Sequence, residues 1–315
     1  MICSTVLNIY HFLRRQPTFI IELYVNYDSD PTFRNVFEET GKLLCKYAFP
    51  TGGISTSIQV QAFEGLSIIF HYIADNIDKE DDSSPSGPYP VEITGYRPFW
   101  EEKPKEDDME AWVDYLRIRK VQKRKILIAG NHFNRDEKKG LEYLKISQLI
   151  SEPPNPQAYA YFFRYTPKLD KTVIGNYLGD PDAFHLQVLK EFTETFEFAG
   201  MVLDTALRTF LETFRLPGES QKIQRILEAF SDRFYDQQSS DIFVSKDAVM
   251  ILCYSIIMLN TDQHNPQVKK KMTEEDFIKN NRSINGGNDL PRSTCPSFSS
   301  PLQPMRSALI NLVQQ

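Results

Sequence analysis

Cysteine is scarce in this sequence. The cysteines are Cys3, Cys45, Cys253 and Cys295, which lie far apart and form no Cys-x-x-Cys pair. Zinc ribbons and disulfide frameworks both need clustered cysteines. The spacing therefore argues against a structural zinc site and against a disulfide-stabilised fold, and it favours a reducing cytosol.

Long apolar runs and a strong charge imbalance are also missing. No run is long enough to span a bilayer. The first twenty residues place Arg14-Arg15 after a short apolar stretch and contain no small-residue cleavage site, so a secretory signal is not predicted. A formal net charge of -6 over 315 residues is mild and does not favour a nucleic-acid partner.

Strand patterns are absent between residues 113 and 292. Apolar residues recur there at three- and four-residue spacing, which predicts amphipathic helices. The chain is 41% hydrophobic and 12% aromatic, which is enough for a packed core. The sequence therefore predicts an all-α fold.

The first candidate site is a joint between two predicted helices. One helix carries an apolar stripe over 203–214 and is expected to end at Pro217-Gly218, and the next carries a stripe over 223–234. Glu219 is therefore expected at a helix start, pointing out of a tight turn. The ordinary alternative is that Glu219 satisfies free backbone donors and the dipole of that helix.

The second candidate site lies in 247–281. Residues 249–259 are apolar nearly all round, which predicts a buried central helix, and Thr273 with Asp276 resembles the capping box of the next helix. Between these helices, a polar loop is expected over Asn260-Thr-Asp-Gln-His-Asn-Pro266. So many polar side chains beside an apolar wall indicate a site.

Both candidate sites resemble the signature motifs of a known family. The Sec-seven domain, the catalytic module of ARF guanine-nucleotide exchange factors, has two motifs that closely resemble Phe214-Arg-Leu-Pro-Gly-Glu219-Ser-Gln-Lys-Ile223 and Tyr254-Ser-Ile-Ile-Met-Leu-Asn-Thr-Asp-Gln-His-Asn265-Pro266. The resemblance covers about residues 120–292 and is greatest for the large GNOM-like and Golgi brefeldin A-resistance factor subfamily. It implies a compact right-handed array of helices.

The resemblance also implies roles for individual residues. Glu219 would be the catalytic glutamate. The GTPase-binding groove would be lined by Tyr254, Met258, Asn265 and Met272. The residues that resemble those of brefeldin A-sensitive members are Tyr254, Ser255, Met258, Asp262 and Met272. No cofactor or metal of its own is expected, because such a protein acts on the GDP and Mg²⁺ bound to its partner GTPase and makes no covalent bond.

Four regions are expected along the chain. Residues 1–77 form a partial helical upstream module, in which Glu22–Asp30 resembles the homology box of large family members, without the dimerisation region of the family. Residues 78–112 are rich in Asp, Glu, Ser and Pro and predict an acidic linker. The exchange domain, lacking its last helices, is expected over 113–292, and a divergent Ser/Pro-rich tail over 293–315.

The strongest basic run of the chain is Arg117–Lys125. It could contact an anionic membrane surface. A nuclear signal or nucleic-acid patch is an alternative. A third interpretation is a solvated helix face balanced by the acidic linker before it.

The expected function is nucleotide exchange on an ARF-family small GTPase in vesicle-mediated transport, by a cytosolic protein recruited to Golgi or endosomal membranes. Two alternatives stay open. Glu219 could pair with His264 or Asp262 as acid and base of a hydrolase, although the sequence offers neither a nucleophile nor a second His or Cys at metal-ligand spacing. A truncated, catalytically impaired module could instead bind or scaffold an ARF.

Overall fold

The computed structural model describes residues 2–49, 56–76, 109–238, 242–264 and 266–291. The elements in these ranges are all helical, so the all-α prediction is confirmed. They are α1 (Ile2–Arg15), α2 (Phe19–Leu23) with a π-helix (Tyr24–Asp28), α3 (Val36–Ala48), α4 (Ser57–Asp75), α5 (Met109–Phe133), α6 (Glu137–Ile146), α7 (Pro156–Tyr165), α8 (Lys171–Leu178), α9 (Ala183–Glu194), α10 (Leu203–Leu211), α11 (Ser220–Gln237), α12 (Lys246–His264) and α13 (Glu274–Asn280). The described residues include no candidate membrane-spanning helix.

Packing divides the chain into two compact units. One comprises Met1–His132, Gly140–Leu149 and Tyr165–Pro167, and the other comprises Phe133–Lys139, Ile150–Arg164 and Lys168–Gln315. Most of α5 therefore belongs to the unit that contains α1 to α4. The predicted tail and most of the predicted linker lie outside the described residues, and the four predicted region boundaries stay predictions.

The first unit is built on α4, which packs against both α1 and α3. Its apolar core consists of Val6, Leu13, Ile20, Leu44, Ala48, Ala62, Leu66 and Ile69. A polar contact orders the start of α3, since buried Asp28 accepts hydrogen bonds from the backbone N–H groups of Phe37 at 2.9 Å and Glu38 at 3.2 Å. Asp28, near the end of the predicted homology box, therefore supplies a carboxylate that caps the first turn of α3.

The basic run on α5 is paired within the first unit. Lys123 is 2% exposed, and its Nζ donates to the carbonyl of Tyr27 at 2.6 Å. Burial lowers the pKa of Lys123 to about 8, against the opposing effect of Asp28. Arg119 forms an ion pair with Asp30 at 3.5 Å. The homology box therefore meets the charges of Lys123 and Arg119, whereas Arg117 and Arg124 of the same run are exposed.

The second unit has a phenylalanine core drawn from α9, α10, α11 and the segments that follow α9 and α10. Its buried members are Phe192, Phe196, Phe198, Phe210, Phe214, Phe230 and Phe234. Ring centroids of contacting pairs are 5.1 to 6.5 Å apart. Such pairs add attraction to the burial of apolar area, so this core fixes α11 relative to α9 and α10.

Two helix ends differ from the sequence prediction. Helix α10 ends at Leu211, well before Pro217, yet Phe214 remains buried at 1% exposure in the irregular segment that follows. Helix α12 continues to His264, so most of the predicted polar loop is the last turn of that helix. In α10 the apolar pattern continues beyond the end of the helix, and in α12 the helix continues beyond the end of the apolar pattern. Tertiary packing, rather than the residue pattern, therefore decided where each helix ends.

Candidate functional site

Glu219 stands immediately before α11 as its N-cap residue, as predicted, with an extended backbone at φ -92° and ψ 124°. Its side chain is exposed and makes no capping hydrogen bond. The caps at Thr56, Asp170, Asp182 and Thr273 all accept a backbone N–H. Glutamate is too long for that bond to form easily, so the carboxylate of Glu219 stays available to another molecule.

Burial anchors the turn that carries Glu219 on its N-terminal side. Leu216 is 7% exposed and Pro217 is buried, whereas Gly218 and Glu219 are exposed. Leu216 and Pro217 therefore hold the chain against the second unit, and the carboxylate of Glu219 extends from this fixed segment. The ordinary alternative expected Glu219 to accept hydrogen bonds from free backbone donors of the helix, and no such capping bond is present at Glu219.

Helix α12 presents a partly apolar face to solvent. Ile251 is 41% exposed and Met258 is 65% exposed, and Tyr254 and Ser255 are partly buried between them. These residues follow the i, i+3, i+4, i+7 spacing of one helix face. The prediction that 249–259 is buried on all sides was wrong for this face, whereas the opposite face is fully buried at Val249, Leu252, Cys253 and Ile256.

Tyr254 lies at the junction of α11 and α12, which pack together. Burial, followed by the negative charge of Glu228 on α11, raises the pKa of the Tyr254 hydroxyl. The hydroxyl therefore stays protonated at neutral pH and can donate a hydrogen bond.

Met272 is held against the end of α12 by both its backbone groups. Its N–H donates to Oδ2 of Asp262 at 2.7 Å, and its carbonyl accepts from Nε2 of Gln263 at 2.7 Å. Lys271 Nζ also donates to the carbonyl of Asp262 at 2.6 Å. Asp262 therefore positions the segment around Met272, a residue of the predicted groove, and a carboxylate used in this way is poorly placed to act as the acid or base of a hydrolase.

The structure describes only some of the remaining predicted residues. Helix α12 includes His264, whose side chain is outside the described part, and Asn265 is likewise outside it. The capping box of Thr273 and Asp276 is confirmed at the start of α13. Within the described ranges no cluster of His, Cys, Asp and Glu is arranged to hold a metal ion.

The structure adds two residues that the sequence reasoning missed. Ile251 extends the exposed face of α12, and its position three residues before Tyr254 was the available signal. Gln263 fixes the carbonyl of Met272, for which spacing gave no indication. No hydrogen bond or ion pair among the described residues joins Glu219 to this face.

Comparison with known proteins gives consistent matches. A family model described as Sec7 domain, the Sec-seven domain of the resemblance above, matches residues 122–297. ARF guanine-nucleotide exchange factor GNL2 of Arabidopsis thaliana is 62% identical over 340 residues, which cover 93% of this chain and 25% of that protein. ARF guanine-nucleotide exchange factor GNOM of Arabidopsis thaliana is 54% identical over 279 residues, covering 88% and 19%.

A solved structure is also similar. It contains a Sec7 domain complexed with ARF1-GDP and brefeldin A, and it matches with 39% identity and a TM-score of 0.50 over 59% of this chain and 90% of that chain. The present chain spans a quarter or less of the length of the curated relatives named above. Because the family model matches more than half of the chain and contains both predicted motifs, this chain belongs to the Sec7 domain family.

Proposed function

We propose that this chain accelerates GDP release from an ARF-family small GTPase, with Glu219 as the catalytic residue. The observation that carries the proposal is the exposed carboxylate of Glu219, which makes no capping hydrogen bond and follows the buried residues Leu216 and Pro217 at a helix start. The names of the relatives GNL2 and GNOM support the activity, and the similar structure with bound ARF1-GDP supports the partner.

The proposed mechanism is electrostatic. A GTPase holds GDP through contacts of its phosphates with a lysine and Mg²⁺. A carboxylate placed about 4 Å from a phosphate charge would repel it by roughly 4 kcal/mol at an effective dielectric of about 20. The same carboxylate can pair with the lysine that the phosphate leaves. Because no bond is made or broken, the chain needs no nucleophile, cofactor or metal of its own.

The groove for the GTPase is proposed on the exposed face of α12. Met258 and Ile251 offer apolar area, and the Tyr254 hydroxyl offers a hydrogen-bond donor at the same face. Met272 closes one end through its bonds to Asp262. Asn265 is proposed as a polar contact on the basis of the family motif.

Location and further partners are proposed only from the family resemblance. We infer recruitment from the cytosol to Golgi or endosomal membranes, in vesicle-mediated transport. Lys123 and Arg119 of the basic run do not support the membrane contact, because they are paired with the homology box. A nucleic-acid partner is not proposed.

The test is the release of fluorescent GDP from an Mg²⁺-loaded ARF-family GTPase, measured against the concentration of the 315-residue chain. Glu219→Gln and Glu219→Lys should lower the maximal rate about 100- to 1000-fold, which corresponds to about 3–4 kcal/mol of lost repulsion. Glu197→Lys is the matched control, because Glu197 is another exposed glutamate of the second unit and its neighbour Phe198 bonds to Gln237, at the other end of α11 from Glu219.

Two outcomes would contradict the proposal. Equal loss of rate in Glu219→Lys and Glu197→Lys would mean that net charge, rather than a placed carboxylate, drives release. A folded wild-type chain that binds the GTPase without accelerating release would instead be the ARF-binding module of the alternative.

A further inference from the structure

Helix α8 contacts the chain on both sides of Glu219. On the N-terminal side, Gly175 lies so close to Arg215 that a Cβ added to Gly175 would stand 1.7 Å from the Arg215 carbonyl oxygen and 2.9 Å from its carbon. On the C-terminal side, a Cβ on Gly179 would stand 2.7 Å from Cβ of Lys222. A side chain at Gly175 is therefore incompatible with the present path of the turn.

Hydrogen bonds hold the same segments on α8. The N–H of Arg215 donates to the carbonyl of Lys171 at 2.9 Å, and Lys171 Nζ donates to the carbonyl of Glu212 at 2.6 Å. Beyond the glutamate, Arg225 Nε donates to the carbonyl of Gly179 at 2.9 Å. The segment from Glu212 to Arg225 is thus tied to α8 before and after Glu219.

Helix α8 is itself fixed in the second unit. Ile174, Tyr177 and Leu178 are buried. Asp170 caps the helix by accepting the N–H of Thr172 at 2.7 Å, and the side-chain oxygen of Asn134 accepts the N–H of Asp170 at 2.7 Å. A helix anchored at its start and along its buried face can act as a rigid reference for the turn.

We propose that Gly175 and Arg225 are positioning residues for the Glu219 carboxylate, which rests on the exchange function proposed above. Gly175 lets the backbone of Arg215 approach α8 closely, and Arg225 ties the first turns of α11 to the same helix. Ordinary carbon–oxygen contacts exceed 3 Å, so Gly175→Ala must displace the Arg215 carbonyl by more than about 1 Å. A displacement of that size at a catalytic group can cost about 100-fold in rate.

The experiment compares Gly175→Ala with Gly41→Ala in the GDP-release assay. Gly41 is also helical, and a Cβ there meets nothing within 4 Å, so it controls for the glycine-to-alanine change itself. We expect Gly175→Ala to lower the maximal rate about 30- to 100-fold. The half-saturating concentration should change less than about threefold, because α12 supplies the groove, and Gly41→Ala should match wild type.

The Glu219→Gln background separates positioning from a general structural effect. If Gly175 acts through Glu219, adding Gly175→Ala to Glu219→Gln should cost less than about threefold more. The same 30- to 100-fold loss in both backgrounds, or an unchanged maximal rate in Gly175→Ala, would overturn the proposal. A wild-type chain without exchange activity would instead refute the exchange function itself.

Arg225→Ala provides a second variant if Gly175→Ala does not fold. It removes the donor to the Gly179 carbonyl without adding an atom to the packed turn. We expect its maximal rate to fall about threefold to tenfold, with less than a twofold further loss when combined with Glu219→Gln. An unchanged rate, or fully additive losses, would count against positioning through α8.

Discussion

Removal of the Asp262 side chain should weaken the groove without disabling the catalytic turn. Asp262 is partly buried near the end of α12, and its carboxylate accepts the N–H of Met272 at 2.7 Å. Asp262→Ala removes that acceptor, so the N–H of Met272 loses its hydrogen bond to residue 262. The segment around Met272 then keeps its bond to Gln263, so it should loosen rather than detach.

The magnitude follows from the kind of bond that is lost. Hydrogen bonds to a charged acceptor contribute about 1.5–3 kcal/mol. Asp262 is not fully buried, so we expect a value at the lower end. If that energy appears in binding, the half-saturating concentration should rise roughly tenfold, since about 1.4 kcal/mol corresponds to a factor of ten. Asp262→Asn keeps an acceptor and should raise the half-saturating concentration only about threefold.

The assay is GDP release measured over a range of concentrations of the chain. Asp262→Ala should keep the maximal rate within about twofold of wild type, because Glu219 and α8 are untouched. A fall in maximal rate with an unchanged half-saturating concentration would refute the assignment of Asp262 to the groove. A half-saturating concentration that stays at the wild-type value in both variants would show that the bond to Met272 carries no binding energy.

Three further outcomes are expected. Saturating brefeldin A should slow GDP release from the GTPase, because the α12 face and Met272 resemble those of sensitive family members, and an unchanged rate would exclude sensitivity. The pKa of Lys123 is lowered from 10.5 to about 8 by burial. Between these two pH values the unfolded chain binds more protons at this residue than the folded chain does, so stability rises with pH. The free energy of unfolding measured with urea should rise by about 2 kcal/mol from about pH 7.5 to about pH 9.5, and this rise should be missing in Lys123→Met. Phe210→Ala removes a fully buried ring from the phenylalanine core and should cost about 3–5 kcal/mol in the same measurement, whereas a loss below about 1 kcal/mol would contradict that packing.

Local signals in the sequence predicted much of the second unit. The stripes at 203–214 and 223–234 are buried, the capping box at Thr273 begins α13, and Glu219 stands before α11. These features depend on residues within a few positions of each other, which spacing reports directly. The family resemblance rested on the same short segments and is confirmed by the matched range.

Long-range packing decided what the spacing could not. An apolar run such as 249–259 looks alike on every side, and only its neighbours in the fold leave Met258 exposed while burying Cys253. The basic run likewise gave no sign that Lys123 would be buried against Tyr27, because the two residues lie 96 positions apart in the chain.

Local patterns were therefore enough to predict the all-α fold, the capping box at Thr273 and the family to which the chain belongs. The tertiary structure was needed to show that, in the described ranges, the Glu219 carboxylate makes no capping hydrogen bond and that α8 holds the turn on both sides of it. The physical reason is that propensity and periodicity act between neighbours in the chain, whereas the direction of a side chain is set by residues distant in sequence that fill the space around it.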